Sequence, residues 1–112
     1  MKLQRIAHAL DAKLICGPVD WKKINIETIF ASDLMSDVLM SDRDELLLIT
    51  SLSTEQSIRS ASIVGSEAVV VANNKTVTEG MIELAQDQGI ALFCTRHPKY
   101  ETCIELGRLM EP

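Results

Sequence analysis

Polar and basic side chains follow each of three apolar runs in the second half of this 112-residue sequence. If the runs are parallel strands, their carboxyl ends meet at one edge of a sheet, where helix N-termini offer unpaired N–H groups to a ligand. Such an edge would suit an anionic small molecule, such as a nucleotide or a phosphorylated metabolite. The candidate ligand-binding residues are Thr50, Ser51, Ser53, Asn73, Asn74, Lys75, Thr95, Arg96 and His97. The simpler alternative is that loops after strands are polar in most such domains and that the hydroxyls cap helices.

Two further groups of residues could do chemistry, and both have plainer explanations. The set Cys94, His97 and Cys103 matches no common zinc spacing and lacks an evident fourth ligand, and no nucleophile motif accompanies the histidine. An acidic stretch comprises Asp33, Asp37, Asp42, Asp44 and Glu45. Solvation and helix-dipole complementation explain these carboxylates more simply than a catalytic or magnesium-binding pair, which would need burial. We therefore expect no catalytic residue, no metal and no cofactor.

The phosphate-binding motifs of nucleotide-dependent enzymes are absent from the sequence. There is no G-x-x-x-x-G-K-[ST] loop and no G-x-G-x-x-G after a strand, so the usual backbone cradle for triphosphates or dinucleotides is missing. A nucleophile, a base and an orienting group cannot be assembled either. An enzyme therefore ranks below a regulatory module and below a small-molecule sensor.

The elements that must position these residues are most regular in the second half. Residues 46–49, 68–72 and 90–94 are continuous apolar runs, which is typical of strands covered on both faces. Capping-box spacing at Ser53/Gln56 and at Thr76/Glu79 predicts helix starts after the first two runs. Gly65 and Gly89 stand where those helices should end. Successive strand–helix units imply right-handed crossovers, and hence a mostly parallel central sheet with helices packed on its faces.

The first forty residues and the last fifteen supply the remaining elements. Apolar spacing predicts a helix over residues 2–10, a short strand over 13–16, an alternating strand over 24–30 and a two-turn helix over 33–40. A final helix is predicted to begin near Pro98. Its apolar stripe is expected to comprise Tyr100, Cys103, Ile104 and Gly107.

Composition narrows the class of protein further. The length fits one domain over residues 1–112. A net charge of −5 without a basic cluster argues against a nucleic-acid surface. No leader and no apolar run long enough for a membrane helix is present, so we expect a cytoplasmic protein that is not bound to a membrane. The odd cysteine set (Cys16, Cys94 and Cys103) favours reduced, partly buried thiols.

With the elements in order, nearly the whole chain resembles the DRTGG domain, which is related to the N-terminal domain of HPr kinase/phosphorylase. The resemblance rests on residues 3–7, 12–17, 30–39, 48–50, 68–71, 82–85 and 89–90, and residues 32–39 (SDLMSDVL) are the most specific part. The sequence departs from the family around residues 23–28, where no Asp-Arg-Thr-Gly-Gly is found. A function of that loop is therefore not carried over.

The resemblance implies an α/β sandwich that accompanies catalytic or nucleotide-sensing domains and often associates in pairs. It supplies no catalytic residues. It implies a stand-alone, non-catalytic regulatory or interaction module that acts through homodimerisation or through a partner protein. The segment after residue 33 carries more apolar side chains than one core-facing stripe of a two-turn helix needs. The candidate dimer-interface residues are therefore Leu34, Met35, Val38, Leu39 and Met40, and the alternative is that they all face the core.

Overall fold

The three apolar runs form the centre of one five-stranded sheet. A computed structural model of the chain describes residues 1–111. The elements in chain order are α1 (Leu3–Ala9), β1 (Lys13–Cys16), a 3₁₀ helix (Trp21–Lys23), β2 (Thr28–Ala31), α2 (Met35–Val38), β3 (Leu46–Thr50), α3 (Glu55–Ile63), β4 (Ala68–Val71), α4 (Glu79–Gln88), β5 (Ala91–Cys94) and α5 (Lys99–Met110).

The strands lie in the order β1-β5-β4-β3-β2. Strands β2 to β5 run parallel to one another, and β1 pairs antiparallel with β5. Every residue of β3 and β4 is buried, because helices cover both faces of these central strands. The predicted fold class, a mostly parallel α/β sheet with helices on its faces, is therefore confirmed.

Alternate residues of the strands feed two separate cores. On one face, α1 and α5 pack through Leu3, Ile6, Leu10 and Leu106 against the sheet. On the other face, α2, α3 and α4 pack against it. Their core residues are Met35, Val38, Ile58, Ala61, Met81 and Ala85. The helices that follow β4 and β5 therefore lie on opposite faces of the sheet, which is the position at which parallel α/β sheets commonly bind ligands.

The alternating segment over residues 24–30 is only partly a strand. Its second half lies in β2, whereas Ile24 and Ile26 lie under the start of α1. The Leu3 amide donates to the Ile24 carbonyl at 2.8 Å and the Ile26 amide donates to the Met1 carbonyl at 2.7 Å. Apolar and polar residues alternate here because both isoleucines point into the core. Their backbone groups, however, bond to residues 1–3 and not to β3.

Two helices differ from the sequence expectation. Helix α2 covers only Met35–Val38. The stripe predicted for α5 was rotated, since Tyr100 is 76% exposed while Thr102 and Leu106 are buried. Cys103 of that stripe does pack against the core.

Both predicted capping boxes were misplaced by one or two residues. The N-cap of α3 is Thr54, whose side chain makes no capping bond, and Ser53 lies outside the helix. The N-cap of α4 is Thr78, whose hydroxyl accepts from the Met81 amide at 3.1 Å. The helix ends were predicted correctly, since Gly65 and Gly89 both adopt positive φ angles, +72° and +69°.

Across residues 1–111, no helix has the length and apolar character needed to cross a membrane.

Candidate functional site

The carboxyl ends of β2, β3, β4 and β5 meet at one edge of the sheet, as parallel strands require. We call this edge the C-terminal rim. It comprises Ser32, Asp33, Thr50, Ser51, Asn73, Asn74, Thr95, Arg96, His97 and Lys99.

Asp33 is the centre of the hydrogen-bond network at the rim. Its carboxylate accepts from the Thr50 hydroxyl at 3.0 Å, from the Ser51 amide at 2.6 Å and from the Ser51 hydroxyl at 2.5 Å. It also accepts from the ammonium of Lys99, which lies at the start of α5. One carboxylate therefore joins the loops after β2 and β3 to the helix that follows β5.

The ionisation of Asp33 is tied to this network. Partial burial by itself raises the pKa of the carboxyl, but the Lys99 ammonium and the hydrogen bonds from Ser51 and Thr50 outweigh it and hold the pKa well below its ordinary value. The expectation that Asp33 is merely a solvated member of an acidic stretch was therefore wrong. The side chain is 40% exposed, yet it is bonded on both oxygens.

Asn73 and Asn74 join the loop after β4 to the loop after β5. Both adopt positive φ angles, +68° and +55°, which asparagine tolerates better than most residues. Their amides donate to the carbonyls of His97 at 2.8 Å and Thr95 at 3.1 Å. The Asn73 side-chain oxygen accepts from the Lys99 amide at 3.1 Å, which satisfies one of the free donors at the start of α5.

The two buried threonines at the rim act within the fold. Thr95 is 2% exposed, and its hydroxyl donates to the Leu10 carbonyl at 2.9 Å, which ties β5 to the end of α1. Thr50 is fully buried and accepts from the Leu52 amide while donating to Asp33. Neither hydroxyl faces solvent in this arrangement.

The basic residues of the predicted site do not converge. Arg96 is exposed and lies 3.7 Å from the carboxylate of Asp11, itself exposed. His97 Nδ1 lies 3.8 Å from Glu101 on the first turn of α5. Lys75 is exposed in the loop after β4. The cation at the centre of the rim is Lys99, which the sequence reasoning did not select.

The cysteines are unpaired. Burial raises the pKa of each thiol, those of Cys16, Cys94 and Cys103, which disfavours the reactive thiolate. Within residues 1–111 no group of three or more His, Cys, Asp or Glu side chains is placed to hold a metal ion.

The five candidate interface residues divide between core and surface. Met35 and Val38 are buried, at 5% and 0% exposure, and belong to the core under α2. The expectation that they lie at an exposed interface was wrong, because these two residues anchor the short helix α2 to the core. Leu34, Leu39 and Met40 are exposed, with Met40 at 81%.

A solved structure with the same fold combines the CBS and DRTGG domains of the regulatory region of Clostridium perfringens pyrophosphatase, complexed with its activator, diadenosine tetraphosphate. The TM-score is 0.79 at 14% sequence identity, over 94% of this chain and 45% of that one. This chain thus spans less than half of its neighbour's length. No protein-family model and no curated protein matches the sequence. The fold is DRTGG-like, and the neighbour that shares it is a regulatory region, not a catalytic one.

Proposed function

We propose that this chain is a non-catalytic regulatory module that works as a homodimer joined through the free edge of β2. The observation that carries the proposal is that β2 is an edge strand, bordered by an apolar groove beside α5 and followed by a segment with exposed apolar side chains. Unpaired edge strands are a ready template for pairing with another chain, and natural proteins usually protect them with charge, proline or a covering element.

The hydrogen-bonding groups on the free edge follow from the register with β3. The Thr28 amide donates to the Glu45 carbonyl at 3.2 Å and the Ser32 amide donates to the Ile49 carbonyl at 3.0 Å. Backbone groups alternate in direction along a strand, so those of Ile29 and Ala31 point away from β3.

A second copy of the chain fits this edge because the arrangement is self-complementary. A two-fold axis at Phe30 would place Ile29 of one copy opposite Ala31 of the other. In an antiparallel ladder, directly opposed residues of this kind exchange both of their hydrogen bonds. Such pairing would extend the sheet across both copies.

Apolar side chains beside β2 would supply the buried area that backbone bonds alone lack. On the face of α5, a groove of about 320 Å³ runs between the strand and the helix. Its lining residues are Ile29, Ala31, Cys103, Leu106, Gly107 and Met110. The segment that follows β2 exposes three more apolar side chains, those of Leu34, Leu39 and Met40. The fold shared with a regulatory region supports a regulatory role for the assembly.

Sedimentation velocity at micromolar concentrations tests the dimer, which should sediment at about twice the 12.4 kDa chain mass. Ala31→Pro removes an outward amide without touching the β3 ladder, and Ala31→Thr is its matched control. Met40→Glu should weaken the dimer, whereas Val19→Glu should not, because Val19 is fully exposed beyond β1 at the other side of the sheet. Circular dichroism verifies that each variant folds. A monomer at all concentrations, or a dimer indifferent to both Ala31→Pro and Met40→Glu, would refute the proposal.

A sensor of a small anion at the C-terminal rim is the second candidate, favoured by the Asp33–Lys99 pair. An anion that bound Lys99 in place of the Asp33 carboxylate would release Asp33, which lies two residues after the end of β2. Ligand binding at the rim would then act directly on the proposed dimer edge. Thermal-shift measurements with nucleotides and phosphorylated metabolites test this candidate, because a ligand of the native state alone raises the midpoint. Lys99→Met should abolish any such shift.

A further inference from the structure

A basic surface lies away from the centre of the rim, in a cavity between α1 and the 3₁₀ helix. The cavity has a volume of about 710 Å³, which falls within the range of about 300–1,000 Å³ seen for small-molecule sites. Lys2, Arg5, Lys22 and Trp21 line it, with Asp11 at one end. The sequence reasoning passed over these residues because they come from two separate segments of the chain.

The charge of this cavity is opposite to that of the whole protein. Three permanent cations and one carboxylate line it, although the chain carries a net charge of −5. The carboxylate of Asp11 is already within 3.7 Å of Arg96. No carboxylate of residues 1–111 lies within ion-pair distance of Lys2, Arg5 or Lys22. The first turn of α1 also contains no acidic residue that would offset them.

Trp21 gives the cavity an aromatic wall. Its indole is partly buried and is held by an edge contact with Phe93, with ring centroids 5.3 Å apart and planes at 70°. The ammonium of Lys22 lies 6.0 Å from the indole centroid, at the outer limit of a cation–π contact. Lys22 can therefore turn toward an anion without losing a strong interaction.

We infer that this cavity binds a nucleotide, with the base stacked on Trp21 and the phosphates held by Arg5, Lys22 and Lys2. Aromatic side chains stack on any nucleobase, and Lys and Arg are the ordinary partners of phosphate oxygens. A single small molecule fits better than a nucleic acid, because the rest of the acidic surface would repel a longer polyanion. The inference does not depend on the proposed dimer, because no residue of β2 or of the groove beside it lines this cavity.

The chain contains a single tryptophan, so fluorescence excited at the indole reports on this cavity alone. Titration with ATP should quench the emission of Trp21 in a saturable way at concentrations below about 5 mM. Tripolyphosphate should compete with ATP while quenching less, and adenosine should bind at least about tenfold more weakly, since it offers the stacking base without phosphates. Quenching by tripolyphosphate as deep as the quenching by ATP would contradict the stacking half of the inference.

Two charge-removing variants locate the bound nucleotide. Arg5→Ala, at an exposed residue, should weaken ATP binding about fivefold or more. Arg59→Ala removes the same charge at an exposed position on α3, outside the cavity, and should leave binding unchanged. Thermal midpoints of both variants check that they fold. The inference is overturned if ATP leaves the emission unchanged, or if Arg59→Ala weakens binding while Arg5→Ala does not.

Discussion

Replacing Asp33 by asparagine should destabilise the protein measurably, although the residue is partly exposed. The substitution keeps the shape of the side chain and one of its two acceptor oxygens. It removes the negative charge that faces Lys99, and it puts an NH₂ group, which cannot accept, in place of the second oxygen. Hydrogen bonds to charged groups contribute about 1.5–3 kcal/mol each when well shielded. The 40% exposure of this side chain calls for a discount, because exposed ion pairs contribute only about 0–1 kcal/mol. We expect a loss of about 1–2 kcal/mol in the free energy of unfolding.

The pH dependence of this loss has a definite sign. The pKa of Asp33 is lower in the folded state than the ordinary value that the unfolded chain retains. A depressed carboxyl pKa contributes stability that is fully present above the unfolded pKa and is lost as pH falls toward the folded one. The difference between the wild-type protein and Asp33→Asn should thus be constant from about pH 5 to pH 8 and should shrink steadily below about pH 4.

Urea denaturation followed by circular dichroism at pH 7 and at pH 3 measures both quantities. Asp42→Asn is the matched control, since Asp42 is exposed and makes no side-chain hydrogen bond or ion pair among the described residues. A double-mutant cycle with Lys99→Met separates the ion pair from the bonds to Ser51 and Thr50. If Asp33→Asn matches the Asp42→Asn control at pH 7, or if its deficit is as large at pH 3 as at pH 7, the charge of Asp33 does not stabilise the rim through Lys99, Ser51 and Thr50.

Three smaller predictions concern the same framework. Thr78→Ala should lower the free energy of unfolding by about 1 kcal/mol in urea titrations, whereas Thr76→Ala should change it by less than about 0.5 kcal/mol, because only Thr78 caps α4; equal effects would restore the capping box expected from the sequence. Thr95→Val should cost about 1–2 kcal/mol by the same measurement, since it removes the buried donor to the Leu10 carbonyl. Arg96→Ala should shift the thermal midpoint very little, because its ion pair is exposed on both sides, and a large drop would mean that the rim depends on it.

The central strands could be predicted from the sequence because their signal is local. A strand covered on both faces must be apolar at every position, and residues 46–49, 68–72 and 90–94 meet that requirement. A helix was predicted between each two successive runs, and a helical crossover between two strands of one sheet makes those strands parallel. The helix ends at Gly65 and Gly89 were equally local, since a positive φ angle requires no distant partner.

The candidate site was predicted less well because its contacts are distant in sequence. Asp33 and Lys99 are separated by 66 residues, and Thr95 and Leu10 by 85. No periodicity or spacing rule reports on such pairs. The N-cap residues were predicted wrongly for a different reason. Several hydroxyl residues precede both α3 and α4, and the path of the backbone decides which hydroxyl can reach a free amide of the helix.

Polar residues at the end of a parallel sheet can either hold the loops together or bind a ligand. The hydrogen bonds and ion pairs that they already make within the protein distinguish these two roles. At the C-terminal rim, Thr50, Asn73 and Thr95 are each bonded to groups of the protein itself, so their polarity is explained by the loops that they hold together. In the cavity beside α1, Arg5 and Lys22 have no carboxylate within ion-pair distance among residues 1–111 and stand next to a fixed aromatic ring. Cations that outnumber the nearby carboxylates raise the free energy of the folded state unless something offsets them. That asymmetry makes the cavity, rather than the rim, the first place to look for a bound anion.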